Sequence, residues 1–399
     1  MLNSLFIQNF KSLKQLEIPK LGNVNLIIGE NNSGKSSVLD ALKLYSSFVD
    51  ETVLIDIINE HDDFFLLEDD SSVSPYESLF FGRRFEQHKK IVIGELKEEK
   101  NKQLIIEAIK AINVMERRLF ISNTQKEEKN IDDLSEDILL NHYYGTFKQV
   151  SDDDIKKKDL NIINLLKINQ GERKKEIILD NMVDRIRRRN CITKSIIKSY
   201  SDITTSFIST DELADSWDKI ALRDYAQTVL KALQIIEPKI IAISFVNSKD
   251  WNRAEFYRRE REKRIPLVRI KGVDFPVPLK SMGDGIIRLF QLALRLYEAK
   301  DGFLLIDEFE NGLHFGVQKQ AWELVFNLAK KLKIQVFAST HSSDCIKSFS
   351  QVALEKENIK GSLFRINKKK ENDLYNEATV TMFNESDLRI LLHSNLEIR

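Results

Sequence analysis

Hydrophobic periodicity divides the chain into a strand-rich start, an irregular middle and a regular end. Residues 5–10 alternate loosely between apolar and polar side chains, and residues 24–28 form a short β-branched run, so both stretches predict strands. Residues 36–48 carry apolar side chains at helical spacing. Further strands, separated by charged turns, are predicted at 91–93, 104–106 and 119–121.

The last third alternates most clearly between helices and strands. Residues 284–298 place apolar side chains on one helical face, and residues 303–306 are a continuous apolar run typical of a central parallel strand. The elements that follow are predicted as a helix at 318–332 and strands at 334–338, 363–366 and 378–382. This strand–helix–strand alternation predicts a parallel sheet with right-handed crossovers.

The middle of the chain has a different composition. Residues 123–210 are rich in Lys, Asp, Asn and Ile, and predict a mainly helical insertion. Ser209 with Glu212 forms a capping-box pattern that opens a helix. Residues 240–246 predict a buried strand, and a hairpin is predicted about Gly272.

These patterns together predict an α/β fold with a central parallel sheet, an antiparallel β subdomain and a mainly helical insertion. At about 150 residues per domain, a chain of 399 residues predicts two or three domains. We expect a first lobe at 1–122, the insertion at 123–236 and a second lobe at 237–399.

Composition excludes several classes of protein. Lys plus Arg and Asp plus Glu are both 61, so the net charge is zero and a globally basic nucleic-acid coat is excluded. The two cysteines, Cys191 and Cys345, cannot build a disulfide framework, which favours a reducing compartment. The sequence contains neither a signal-peptide pattern nor 18 consecutive apolar residues. We therefore expect a cytoplasmic protein that does not enter a membrane.

A glycine-rich loop joins the strand at 24–28 to the helix at 36–48. Its sequence, Gly29-Glu30-Asn31-Asn32-Ser33-Gly34-Lys35-Ser36, fits G-x-x-x-x-G-K-[ST] at every position. In such a loop the backbone curls around phosphates, the lysine reaches the β- and γ-phosphates, and the serine hydroxyl can bind Mg²⁺. A chance glycine-rich turn is the alternative, and the flanking strand and helix favour the phosphate-binding interpretation.

Two acids end the apolar run at 303–306. At the end of a buried strand beside the glycine-rich loop, Asp307 can hold Mg²⁺ through water, and Glu308 is the candidate for polarising an attacking water. The alternative is a strand that ends in a solvated acidic turn.

Two further segments carry candidate phosphate contacts. Ser281, Gly283 and Gly285 lie at the start of the helix at 284–298, where a hydroxyl and glycine N–H groups can make an anion site, or else a plain helix cap. His341 follows the strand at 334–338, where it is well placed to contact a γ-phosphate, although a lone histidine is more often structural.

The order and spacing of these motifs resemble the ATP-binding-cassette ATPases. Asp307 lies 272 residues after Lys35, which is too far for a compact GTPase-like core. Gly283 lies 24 residues before Asp307, and His341 lies 34 residues after it. Within that class, residues 9–12, 29–37 and 307–314 resemble the RecF, SMC and OLD (overcoming lysogenization defect) group. The match is best to short, stand-alone AAA-type ATPases of the OLD-like kind, and it covers residues 1–60 and 210–399.

The resemblance implies that two ABC-ATPase-like heads sandwich ATP and Mg²⁺ in a homodimer or higher assembly. One subunit would supply the P-loop, which runs from Gly29 to Ser37, together with Asp307, Glu308 and His341. The other subunit would supply Ser281, Gly283 and Gly285, and residues 311–314 fall where the family has its dimer-contacting D-loop. The resemblance also offers Phe10 and Lys11 as nucleotide contacts, and Gln87 as the candidate for the glutamine that senses Mg²⁺. The segment at 281–285 departs from the signature of transporters, which argues against a transporter motor.

Two basic clusters are candidates for holding phosphates of DNA or RNA. The first comprises Arg173, Lys174, Lys175, Arg185, Arg187, Arg188 and Arg189. The second comprises Arg253, Arg258, Arg259, Arg261, Lys263 and Arg264, and its interleaved glutamates favour a solvated face instead.

The leading functional hypothesis is a sensor or regulatory ATPase of a prokaryotic defence system against phage or plasmids. Full-length OLD-like proteins add a Toprim nuclease, whereas the 58 residues after His341 contain no Asp-x-Asp. We therefore expect ATP hydrolysis without intrinsic nuclease activity, and a separate effector, for which a Toprim-type nuclease is one candidate. The alternatives are a RecF-like DNA repair ATPase and a nucleotide-gated scaffold that does not hydrolyse ATP.

Overall fold

The computed structural model describes residues 1–60, 74–85, 89–96, 102–113, 147–149, 162–179, 200–205, 208–247, 264–356, 358–368 and 378–393. The chain forms two compact units. The first consists of Met1–Leu5, Leu16–Ser47 and Ile197–Arg399, and the second of Phe6–Gln15 and Phe48–Ile196. Each unit is therefore assembled from distant parts of the sequence, and the lobe boundaries expected at 122 and 236 do not coincide with these divisions.

The described strands are β1 (Leu5–Phe10), β2 (Leu13–Ile18), β3 (Val24–Gly29), β4 (Lys90–Gly94), β5 (Leu104–Asn113), β6 (Phe147–Gln149), β7 (Ile162–Gln170), β8 (Arg173–Ile178), β9 (Tyr200–Ile203), β10 (Ile240–Asn247), β11 (Arg264–Ile270), β12 (Val277–Pro278), β13 (Phe303–Ile306), β14 (Gln335–Ser339), β15 (Gly361–Lys368) and β16 (Ala378–Phe383). The described helices are α1 (Lys35–Ser47), α2 (Glu51–Asn59), α3 (Thr210–Asp218), α4 (Tyr225–Leu233), α5 (Asp284–Glu298), α6 (Phe315–Leu332), α7 (Ser343–Glu355) and α8 (Glu385–His393).

A mostly parallel sheet forms the centre of the first unit, in the order β16-β15-β3-β14-β13-β9. Strands β15, β3, β14, β13 and β9 pair in parallel, and only β16 is antiparallel, to β15. Leu304, Leu305 and Ile306 are each at most 1 % exposed, which explains why this strand is apolar without alternation. The predicted central parallel sheet is confirmed, and its pairing brings the ends of β3, β13 and β14 to one edge.

Helix α5 carries much of the core beside this sheet. Its predicted bounds and its apolar face are confirmed, and it packs against α3, α4 and α6. The Tyr225 hydroxyl on α4 donates to the carbonyl of Ala293 at 2.9 Å, so a buried polar group is satisfied inside this contact. The capping pattern at the start of α3 is also confirmed, because the N–H of Glu212 donates to Ser209 Oγ at 3.2 Å.

A small antiparallel sheet, β10-β11-β12, precedes α5. The predicted hairpin about Gly272 is confirmed by the pairing of β11 with β12. Strand β10 forms as predicted, but the expectation that it is buried is wrong. Ile241 is 47 % and Val246 is 42 % exposed, because β10 packs on α4 with one face only. An apolar run alone does not distinguish a buried strand from such an exposed one.

The second unit is built on an antiparallel sheet in the order β2-β1-β4-β5-β7-β8, with β6 paired to β5. The predicted antiparallel β subdomain is thereby confirmed. In the stretch 123–236, for which we expected mainly helices, the described residues form β6 to β9 as well as helices α3 and α4. The hairpin of β7 and β8 forms because Leu166, Ile168 and Ile177 lie buried on one face of the paired strands, whereas Lys167 and Lys174 are exposed on the other face. The predicted strand at 119–121 lies outside the described residues.

Among the described residues, no helix combines the length and the apolar character needed to cross a membrane.

Candidate functional site

The glycine-rich loop lies between the end of β3 and the start of α1, as the motif predicted. Asn32 and Gly34 have positive φ values of 58° and 103°, so the loop turns back sharply before the helix begins. Gly29 has a φ of 154°, and a Cβ placed on it would lie 2.5 Å from the carbonyl oxygen of Ile366 on β15. Any side chain at this position would therefore push the loop away from the sheet.

Lys35 is folded back onto this loop. Its ammonium donates to the carbonyl oxygens of Gly29 at 2.9 Å and Glu30 at 2.8 Å, and the residue is 5 % exposed. Burial lowers the pKa of the Lys35 ammonium, whereas the negative charges of Asp307, Glu308 and Glu310 act in the opposite direction. The structure therefore holds a partly desolvated cation inside a loop of backbone amides, which suits an anionic ligand.

Two hydroxyls of the loop fit the expected phosphate and Mg²⁺ chemistry. Ser33 Oγ is buried and has no hydrogen-bond partner among the described residues, so a polar ligand at the loop would satisfy it. Ser36 Oγ lies 3.4 Å from Asp307 Oδ2. A hydroxyl next to a carboxylate is an oxygen donor set of the kind that Mg²⁺ prefers, so Ser36 and Asp307 fit a Mg²⁺ ion.

Ser339, the last residue of β14, connects the two acids at the end of β13. Its hydroxyl donates to Asp307 Oδ1 and accepts from the N–H of Glu308 at 2.9 Å. Glu308 has a φ of 49°, in the left-handed region that a glutamate rarely adopts. Strain of this kind persists only where the surroundings fix the conformation, and Ser339 supplies one of those contacts.

His341 follows β14 and lies beside Glu308. Its Nε2 is 3.9 Å from Glu308 Oε1. Glu310, which the motif analysis overlooked, fixes this turn: it accepts from the Thr340 hydroxyl at 2.7 Å and from the N–H of His341 at 2.8 Å. A charged residue three positions after Asp307 was the only signal in the sequence, and it did not reveal which turn the carboxylate binds.

A cavity of about 470 Å³ opens between the glycine-rich loop and the ends of β13 and β14, a volume typical of small-molecule sites. It is lined by Ile28, Gly29, Glu30, Asn31, Glu308, Thr340, His341 and Ile346. Both predicted catalytic residues therefore face the predicted phosphate-binding loop across one cavity.

The segment at 281–285 does not line this cavity. Ser281 is exposed and its hydroxyl donates to the carbonyl of Pro278 at 2.7 Å. Gly283 has a φ of 94° and open space where a side chain would lie. A Cβ on Gly285 would lie 3.1 Å from the carbonyl oxygen of Gly312, so the start of α5 packs against the predicted D-loop at 311–314.

Lys11 and Phe10 do not belong to the unit that contains this cavity. Lys11 belongs to the second unit, where its N–H donates to the carbonyl of Leu79 at 2.9 Å. Phe10, in the same unit, is a fully buried core residue. Gln87 and Cys191 lie outside the described residues. Cys345 is buried, and burial raises the pKa of its thiol, so it is not a reactive thiolate.

The basic clusters are only partly described. In the first, the Arg173 guanidinium and the Lys175 ammonium lie 4.1 Å and 5.0 Å from the centre of the Phe48 ring. Of the second cluster, Arg264 is paired with Asp218 at 2.6 Å. Residues 185–189 and 253–263 lie outside the part of the chain that the structure describes.

A strand, a glycine-rich loop and a helix, in one parallel sheet with a strand that ends in two acids, define a P-loop nucleoside triphosphatase. The chain belongs to the AAA ATPase domain family, whose family model matches residues 1–346. It is similar to a Helicobacter pylori protein described as an ATP/GTP phosphatase, with 22 % identity over 90 % of each chain. The chain is also similar to an uncharacterised protein of Methanocaldococcus jannaschii, with 43 % identity over 47 residues. This stretch covers 12 % of this chain and 22 % of the Methanocaldococcus jannaschii protein.

Two solved structures are also similar. An SMC head bound to the C-winged helix domain of ScpA shares 11 % identity over 96 % of this chain and 98 % of its own, with a TM-score of 0.44. The SMC head domain from Thermotoga maritima shares 13 % identity over 96 % of this chain and 99 % of its own, with a TM-score of 0.42.

Proposed function

We propose that the chain hydrolyses ATP, with Mg²⁺, in the cavity between the glycine-rich loop and the ends of β13 and β14. The observation that carries the proposal is the pair formed by Glu308 and His341, 3.9 Å apart on the wall opposite Gly29 and Glu30. Membership of the AAA ATPase domain family and the likeness to a protein described as an ATP/GTP phosphatase support nucleotide hydrolysis.

Each residue has a distinct role in this proposal. The backbone N–H groups of the loop and the Lys35 ammonium bind phosphate oxygens. Ser36 and Asp307 hold Mg²⁺, which when bound neutralises negative charge on the β- and γ-phosphates. Glu308 orients the attacking water and accepts its proton, and His341 donates a hydrogen bond to the γ-phosphate.

The proposal also includes a second copy of the chain. Ser281 and Gly283 are exposed at the start of α5, and neither lines the cavity of its own copy. A helix start that presents a hydroxyl and glycine N–H groups can bind an anion. We therefore assign both residues to the γ-phosphate held by a second copy, so that two heads close on ATP as a dimer or larger assembly.

Light scattering and phosphate release test this composite site. With Mg-ATP, Glu308→Gln is expected to form a dimer or larger species, because ATP binds and is not consumed. Ser281→Arg is expected to bind ATP nearly normally but to lose ATP-dependent assembly and turnover. Gln227→Arg, on the exposed face of α4, adds the same charge away from the site and is the matched control. Normal turnover by a monomeric Ser281→Arg would overturn the composite site. Turnover of GTP, measured alongside, gives the nucleotide preference.

At the level of the cell, we propose a cytoplasmic regulatory ATPase of a defence system against phage or plasmids, acting with a separate effector. The support is the resemblance of the motifs at 9–12, 29–37 and 307–314 to the OLD-like group. Copurification from the native operon is expected to recover the product of a neighbouring gene, and purified protein alone is expected to leave DNA and RNA intact. Loss of DNA repair, with no loss of phage resistance, on deleting the gene would favour the RecF-like alternative.

A further inference from the structure

Arg288 on α5 is buried directly beneath the acidic end of β13. Its residue exposure is only 5 %. One guanidinium nitrogen, Nη1, donates to the carbonyl of Thr204 at 3.1 Å and to Gln291 Oε1 at 3.2 Å. The other, Nη2, donates to the carbonyls of Asp307 at 3.3 Å and Glu308 at 3.2 Å. A single side chain therefore binds the backbone of both acids of the site.

The chemistry of these contacts is specific to arginine. Burial lowers the pKa of the Arg288 guanidinium to about 10, and the charges of Glu310, Asp307 and Glu308 counter that effect. The group therefore stays charged at neutral pH. Its acceptors are three backbone carbonyls and one amide oxygen, reached by a planar fork of donors in a fixed geometry. A lysine ammonium would keep the charge but could not reach this set of oxygens together.

These contacts fix the strained backbone of Glu308. Its left-handed φ of 49° is held from one side by the Ser339 hydroxyl, which binds its N–H. Arg288 holds the other side by binding its carbonyl. The direction of the Glu308 side chain depends on this backbone conformation, so a contact to its carbonyl is in a position to influence where the carboxylate points.

Helix α5 touches the same segment at a second place. The close approach of Gly285 to the carbonyl of Gly312 lies one turn before Arg288 on the helix. The chain from Asp307 to Gly312 is thus hydrogen-bonded to α5 at one end and packed closely against it at the other. A displacement of α5 along its axis would move Glu308 with it.

We propose that Arg288 is a positioning residue for Glu308, through which hydrolysis responds to the position of α5, the helix that follows Gly283. The inference rests on the proposed function, and it specifies the regulation of that site. Contact of Ser281 and Gly283 with nucleotide on a second copy fixes the position of α5. Through Arg288, that position determines the orientation of Glu308.

The test compares two conservative substitutions on one helix. Arg288→Lys is expected to lower kcat about 10- to 100-fold while KM and the affinity for ATP change less than about threefold, because the phosphate-binding loop is untouched. Arg295→Lys lies two turns further along α5, where Arg295 pairs with Glu298 at 2.6 Å, and is expected to keep wild-type kcat. An unchanged kcat in Arg288→Lys overturns the inference. Parallel loss of affinity, kcat and melting temperature assigns Arg288 a structural role only and overturns it equally.

A double mutant separates positioning from structural support. If Arg288 acts through the Glu308 carboxylate, Arg288→Lys combined with Glu308→Gln is expected to be no slower than Glu308→Gln alone. Multiplied losses in the double mutant would contradict the inference. These outcomes are distinct from failure of the proposed function, in which the wild-type protein itself would not hydrolyse ATP.

Discussion

The imidazole Nε2 of His341 lies 3.9 Å from Glu308 Oε1, although the two residues follow different strands of the sheet. They meet because β13 and β14 are parallel neighbours, with Ile306 opposite Ala338, so both strands end at one edge. The separation is longer than a direct hydrogen bond, and both residues line the same cavity.

Replacing His341 is expected to impair chemistry more than binding. His341→Ala removes a donor from the position where charge develops on the γ-phosphate, so kcat is expected to fall about 10²- to 10³-fold. His341→Gln retains an N–H donor and is expected to lose less. Steady-state phosphate release and equilibrium ATP binding measure the two effects. Equal losses of affinity and turnover in His341→Ala would assign the residue to ground-state binding instead.

Lys35 is expected to contribute mainly to ATP affinity. Lys35→Met removes a cation that can bind phosphate oxygens, a contact of about 1.5–3 kcal/mol, so the dissociation constant is expected to rise about 10- to 100-fold. The rise in melting temperature that ATP causes in the wild-type protein should become smaller at the same ATP concentration. Lys331→Met, which removes an exposed lysine from α6, is the control and should keep the full ATP-induced rise in melting temperature. An ATP-dependent stabilisation of Lys35→Met equal to that of the wild type would contradict this role.

Ser339 is expected to matter for both stability and catalysis. Ser339→Ala deprives Asp307 of a donor and leaves the N–H of Glu308 without its acceptor, so stability should fall by about 1–3 kcal/mol and kcat by about tenfold. Ser350 is an equally buried serine whose hydroxyl has no partner among the described residues. Ser350→Ala should therefore be neutral or stabilising in urea unfolding. If both variants behave alike, Ser339 does not hold the acids.

Glu298 gives a prediction on pH and stability. Burial by itself would raise the pKa of its carboxyl, but Arg295 and Lys219 hold that pKa below the usual 4.5. A carboxyl with a lowered folded-state pKa stabilises the protein above about pH 4.5, and this stabilisation is lost as the pH falls through the folded-state value.

Glu298→Gln is accordingly expected to cost about 1–2 kcal/mol at pH 7. The difference from the wild type should shrink as the pH falls below about 4.5, because the wild-type carboxyl then becomes neutral as well. Urea unfolding at pH 7 and at several lower values measures it. A difference that stays constant over that range would exclude the carboxylate charge as its cause.

The sequence predicts the parts of the site that depend on local pattern. The loop at Gly29–Ser36 and the acids after β13 follow from motifs whose spacing is fixed within one strand–loop–helix or one strand end. Helix α5 was predicted to the residue, because its apolar face repeats over four turns.

The remaining contacts depend on tertiary structure. Nothing in the sequence near Arg288 indicates that its guanidinium binds carbonyls 19 and 20 residues away, or that Glu310 binds the turn at 340–341. The hairpin of β7 and β8 was missed for another reason. Its lysines suggest a solvated helical segment, whereas strand pairing places the exposed Lys167 and Lys174 on the face opposite the buried Leu166, Ile168 and Ile177.

The central claim is that Glu308 activates water for ATP hydrolysis, and phosphate release by Glu308→Gln tests it most directly. This variant is expected to bind ATP normally and to hydrolyse it at least about 10²-fold more slowly than the wild type, the effect expected for losing a positioned base. Glu323→Gln, a change at a partly exposed position of α6, should retain wild-type turnover. Normal phosphate release by purified Glu308→Gln would remove Glu308 from the mechanism.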